Sequence, residues 1–189
     1  MRYLMTAVLL LTASPLWAHP GHGEPTMGFI AGLLHPLTGL DHLLVMIAVG
    51  LWSATTSRRI LLAPLSFAVM LLVGAVLAQA GLALSAVEPV IVASVLLLGL
   101  LVMTRRHFPD WAAAVLVAVF ALFHGVAHGQ ELASPLALGG MVLATALLHG
   151  FGIAAGLLLK LHSVWLQRTV GAGIALAGTG LAVGLLLSV

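Results

Sequence analysis

Apolar residues gather into six long runs, at 28–52, 60–83, 87–104, 110–132, 135–159 and 169–188, separated by short polar breaks. A helix of about 20 apolar residues is long enough to cross the hydrocarbon core of a bilayer. The runs therefore predict an all-α, polytopic membrane protein with six transmembrane helices. A shorter run, Leu4 to Leu11, follows Arg2 and leads through Thr12, Ala13, Ser14 and Pro15 to Ala18. That is the basic, apolar and small-residue order of a secretory signal peptide, and the run is too short to span. Residues 1–18 are expected to be the signal peptide and 19–189 a single six-helix transmembrane domain, the alternative being an uncleaved anchor.

The breaks differ sharply in charge. Arg58 and Arg59 follow the first run, Arg105 and Arg106 the third, and Lys160 and Arg168 lie between the fifth and sixth. The stretches Ser85–Glu88 and Gln130–Pro135 contain no Lys or Arg. Basic loops stay on the cytoplasmic side, so the mature N-terminus and the C-terminus are both expected outside.

Composition sharpens this picture. The chain is 62% hydrophobic and 6% charged, against roughly 45–50% and 25% in soluble domains, which excludes a water-soluble globule. With a net charge of +2 and its basic residues scattered, it has no electrostatic footprint for nucleic acid. The absence of Cys removes disulfides, thiolate metal sites and thiol redox chemistry. Small residues recur four apart at Gly28/Gly32, Gly125/Gly129, Gly152/Gly156 and Gly180/Gly184, a spacing that lets helix backbones approach closely in lipid. Nine His against five acids is the unusual balance.

Several of those His lie where hydrocarbon should expel them. An ionisable side chain near a helix centre costs about 2.5–3.5 kcal/mol on insertion scales, so such groups face the bundle interior and mark pathways. In the first run, His35-Pro36-Leu37-Thr38-Gly39-Leu40-Asp41-His42 places His35 and His42 about 20° apart on an ideal helix, with Asp41 at the edge of the stripe. Pro36 and Gly39 can interrupt that helix where its backbone lines a cavity. The plainer alternative is a kinked packing helix. In the fourth run, His124, His128 and Glu131 stand at i, i+4 and i+7, on one face if the helix continues that far. The alternative is an interfacial cluster that satisfies an outer turn. His35 and His124 are expected at similar depths in the outer half, with His128 and Glu131 nearer the mouth. His149, between glycines in the fifth run, reads equally as a further ligand or a packing histidine. His107 and His162 lie in basic loops and read as solvated. Cleavage after Ala18 would start the mature chain at His19-Pro20-Gly21-His22, where an α-amine beside imidazoles can capture a metal outside, or form only a frayed polar tail.

Imidazole with carboxylate and no thiolate suits nickel, cobalt or zinc, whereas copper(I) wants sulfur and magnesium or calcium mostly oxygen. Neutral imidazole is the ligating form, so metal uptake should weaken as these His protonate. The sequence has no GxxxxGK[ST] nucleotide-binding loop, and its loops are too short for an ATPase domain. A cation moving inward gains about 2.3 kcal/mol per charge per 100 mV, enough for facilitated diffusion. Two other classes stay open: a membrane-embedded metalloenzyme activating water on a bound ion, and a His-based proton conductor or pH sensor.

Together HPLTGLDH (35–42), followed by LLVMIAVGLW, FHGVAHGQE (123–131) and the outward HPGHG after a signal peptide resemble the HupE/UreJ family of nickel permeases over essentially the whole mature chain. The resemblance implies a multi-pass protein of the bacterial inner membrane that admits Ni(II), or Co(II), for hydrogenase or urease maturation. It implies His35, Asp41, His42, His124, His128 and Glu131 as functional positions and favours His149 as a participant. The metal is cargo, no catalytic cofactor or enzymatic activity is expected, and metallochaperones or a maturation system would receive the ion.

Overall fold

The computed structural model describes residues 28–132 and 134–188. Within them the chain forms seven helices: α1 (Phe29–Thr38), α2 (Leu40–Thr56), α3 (Leu62–Gln79), α4 (Val87–Thr104), α5 (Asp110–Glu131), α6 (Pro135–His162) and α7 (Val164–Leu187). No strand occurs among the described residues. Helices α3 to α7 are each long and apolar enough to cross a membrane, and α1 with α2 makes a sixth if the bent pair is one span. The expected signal peptide, with His19 and His22, lies outside the described residues.

The first apolar run departs from the straight helix its periodicity predicts. It breaks between Thr38 and Leu40, and the two pieces diverge by 87°. Of the two suspected breakers only Gly39 acts: Pro36 sits inside α1, whereas Gly39 is extended at φ −96° and ψ 118°. The break has local support. Thr38 Oγ1 donates to the His35 carbonyl at 2.7 Å, satisfying one of the acceptors that a helix end leaves open. On the other side Asp41 Oδ1 accepts from the His42 backbone N–H at 2.8 Å, placing a negative charge at the positive end of α2. At 10 residues, α1 is about 15 Å long, half the bilayer core.

Two other boundaries move. Helix α6 runs on to His162, and α7 starts at Val164, ahead of the predicted 169. Ser163 caps α7 by accepting from the Trp165 N–H at 3.2 Å. Lys160 and Arg168 thus belong to helix ends, where long basic side chains reach the interface.

Glycines set the helix pairs. A Cβ on Gly125 would stand 2.1 Å from the Leu71 carbonyl oxygen, and one on Gly129 2.3 Å from that of Ala75, so α3 and α5 pack backbone to backbone. Gly50, Gly152 and Gly156 do the same for α2 against α6, Gly32 and Gly140 for α1 against α6, and Gly99 and Gly171 for α4 against α7. Hydrophobic driving force is weak between helices in lipid, and close van der Waals approach replaces it. The expected pairs Gly125/Gly129 and Gly152/Gly156 serve this purpose, as does Gly32. Gly28, Gly180 and Gly184 do not, since a Cβ there would meet nothing within 4 Å. A four-residue spacing gives a small face, and only the neighbouring helix decides whether it is used.

The connections carrying Arg58 and Arg106 are tied together at one end of the bundle. Trp52 Nε1 donates to the Arg106 carbonyl at 3.0 Å, His107 Nδ1 to the Thr56 carbonyl at 2.8 Å, and the Arg58 N–H to Asp110 Oδ1 at 3.3 Å. The opposite end of α5 carries His124, His128 and Glu131 over a rise of about 10 Å. Arg58 and Arg106 therefore lie at the opposite end of the bundle from His124, His128 and Glu131.

Candidate metal centre

Helix α5 supplies the backbone of the site. It is unbroken from Asp110 to Glu131, so the i, i+4 and i+7 spacing does place His124, His128 and Glu131 along one face. Gln79 Nε2 on α3 donates to the Leu132 carbonyl at 2.6 Å and fixes the end of α5. His35 from α1 meets this face directly: its Nε2 lies 2.7 Å from Glu131 Oε2. His128 Nδ1 lies 4.0 Å from the same oxygen, and the His35 and His128 ring centres are 4.8 Å apart, edge to face. One ligand atom from each of His35, His128 and Glu131 falls within 4.8 Å of the others. An ion bound at about 2.0–2.2 Å from each donor would take the place of the proton between His35 and Glu131 and draw His128 closer to Glu131.

Behind the trio the rings continue inward. The His42 ring centre lies 4.1 Å from that of His128 and 4.6 Å from that of His124. Exposure falls along the series: the side chains of Glu131 and His35 are 33% and 17% exposed, while His128 and His124 are buried at 1% and 0%. The arrangement is a partly open mouth leading to a closed row of imidazoles.

Asp41 stands to one side of that row. Its Oδ1 accepts from His42 Nδ1 at 2.8 Å as well as from the His42 backbone. A carboxylate has no proton to offer when ionised, so His42 carries a proton on Nδ1, and its neutral form has the lone pair on Nε2. The carboxylate fixes the orientation of the ring, the part that an outer partner plays for a metal-binding His. Gly39 makes room for this pairing, because a Cβ there would lie 2.8 Å from Asp41 Oδ1 and 3.2 Å from His42 Nδ1. Gly39→Ala is expected to dislodge the carboxylate and, like Asp41→Asn, to weaken the binding of a divalent transition metal at this candidate centre roughly ten- to hundredfold. Calorimetry on the purified protein in detergent, with helicity checked by circular dichroism, measures this; unchanged affinity in both variants would show that the pairing is irrelevant to binding.

His149 lies apart from the row. It is 3% exposed, and Nδ1 donates to the Thr145 carbonyl one turn earlier at 2.8 Å. It meets the cluster through Phe67, whose ring centre is 5.2 Å from that of His149 and 5.7 Å from that of His124. His107 and His162 are exposed, each donating from Nδ1 to a backbone carbonyl.

Two residues of the site were not singled out by sequence reasoning. Phe67 is one apolar residue among many in its run, and nothing local marks it. Ser94 leaves a faint trace, as the lone hydroxyl between Glu88 and Thr104. It is fully buried, and its Oγ lies 3.0 Å from His124 Nε2.

Apolar helices surrounding a buried row of imidazoles, with a carboxylate at its mouth, define a multi-pass helical membrane protein that keeps a polar centre out of the lipid. A family model described as HupE / UreJ protein matches residues 7–181. The chain is also 39% identical over 187 residues to Protein HupE of Rhizobium leguminosarum bv. viciae, covering 95% of this chain and 97% of that protein. The chain belongs to the HupE/UreJ family. No solved structure matches it.

Proposed function

We propose that this protein is a permease for a divalent transition metal, with nickel the leading cargo and cobalt the nearest alternative, supplying a metalloenzyme maturation system such as that of hydrogenase or urease. One observation carries the reading: ligand atoms of His35, His128 and Glu131, from two separate helices, lie within 4.8 Å of one another at the mouth of the buried row. Nitrogen and oxygen donors without sulfur match nickel, cobalt and zinc, and membership of the HupE/UreJ family favours nickel. The ion enters at His35 and Glu131, is taken over by His128, and moves to His42 and His124 with Asp41 behind them. His149, beyond Phe67, is a later station. Positions His19 and His22 recruit the ion outside. By the charge of its loops, the histidine end faces the periplasm and the arginine end the cytoplasm of a bacterial inner membrane. A row of neighbouring sites, each holding the ion by few donors, lets it leave as well as enter.

The test is uptake of radioactive nickel and cobalt into proteoliposomes containing the purified protein. Flux above protein-free liposomes, rising with an inside-negative potential and abolished in His42→Ala and His124→Ala, is expected. Unchanged flux in both variants would remove the proposed route. Retention of one tightly held ion per chain without flux would favour a membrane-embedded metalloprotein instead.

A further inference from the structure

Ser94 on α4 makes two contacts that together fix a proton on a neighbouring helix. Its Oγ lies 2.6 Å from the Ile91 carbonyl oxygen and 3.0 Å from His124 Nε2. Two oxygens approach to 2.6 Å only with a proton between them, and a carbonyl has none, so the Ser94 hydroxyl donates to Ile91. A hydroxyl has a single proton. Ser94 can then meet His124 only as an acceptor, which requires a proton of the imidazole to sit on Nε2 and, in the neutral ring that binds metals, leaves the lone pair on Nδ1.

Two of the other buried rings, those of His42 and His149, are held the opposite way. His42 Nδ1 donates to Asp41 Oδ1 and His149 Nδ1 to the Thr145 carbonyl, so both keep Nε2 as the ligating atom. We propose that Ser94 is a positioning residue that holds His124 as the Nε2–H tautomer, making Nδ1 its metal-donating nitrogen, opposite in sense to His42 and His149. The ring centres of His42 and His124, 4.6 Å apart and nearly perpendicular, then offer one lone pair from Nε2 and one from Nδ1. The consequence for metal transfer rests on the permease reading, whereas the tautomer assignment does not.

Two readouts test it. Nitrogen and carbon NMR of histidine-labelled, metal-free protein in bilayers, with His124 assigned by comparison with a His124→Gln sample, reports which nitrogen carries the proton. Wild type is expected to show Nε2–H at His124, Ser94→Ala to lose that preference, and Ser94→Thr to restore it. Nickel affinity should fall roughly ten- to hundredfold in Ser94→Ala and recover in Ser94→Thr. An Nδ1–H signal at His124 in wild type overturns the proposal, and this measurement suffices if the alanine variant fails to fold. So does an unaltered tautomer in Ser94→Ala. A wild-type chain with the expected tautomer, but with neither nickel binding nor flux, supports the role of Ser94 and overturns the permease reading.

Discussion

Nickel uptake is expected to fall by more than about a hundredfold in His128→Ala. Loss of an outer partner of a metal ligand already costs about 10–100-fold, and His128 is placed to act twice. Its Nδ1 faces Glu131 at 4.0 Å, within the trio at the mouth, and its ring lies 4.1 Å from that of His42. Removing it widens the mouth and cuts the step from mouth to interior. Glu131→Gln should be milder: an oxygen donor remains opposite His35, but the negative charge that offsets a divalent cation is gone. Initial uptake rates in proteoliposomes, normalised to reconstituted protein, rank these variants. Substantial residual uptake in His128→Ala, with none in His124→Ala, would place the ion's path elsewhere.

The second large effect concerns stability. Gly125→Val puts a branched side chain where even a Cβ would stand 2.1 Å from the Leu71 carbonyl oxygen and 2.9 Å from the Ala75 nitrogen. Neither contact is a flexible side chain that can swing away, so α3 and α5 must separate. Overpacking a tight contact costs about 1–3 kcal/mol and sometimes more, and here it also displaces the adjacent His124. Gly180→Val, on the open face of α7, is expected to change stability by no more than about 0.5 kcal/mol. Denaturant titration in detergent micelles, followed by circular dichroism, compares them. Equal tolerance of both substitutions would show that the α3–α5 contact is looser than described.

The two histidine segments differ in how far their arrangement was legible. On α5 the 3.6-residue period alone places His124, His128 and Glu131 on one face, because the helix runs unbroken through all three. In the first run the same reasoning puts His35 and His42 nearly in line, and that geometry is lost at Gly39. Helical phase is a local property, and a single extended residue resets it. His35 and His42 still converge, each through a ring contact with His128 rather than along a shared stripe. Asp41 shows a similar shift: helical phase puts it at the edge of the histidine stripe, whereas its carboxylate is turned onto His42 Nδ1.

By itself the sequence determined the solvent, the number of apolar segments, the end of the bundle that carries positive charge, and the residue types available to a metal. Each follows from composition or from short-range periodicity, which a neighbouring helix does not alter. The tertiary structure alone decided which glycines close a helix pair, the 87° turn that brings His35 to Glu131, and the meeting of Phe67, Ser94 and His149 with the row. Those contacts join residues up to 111 positions apart, and their partners are selected by how helices pack in three dimensions, which no local spacing records.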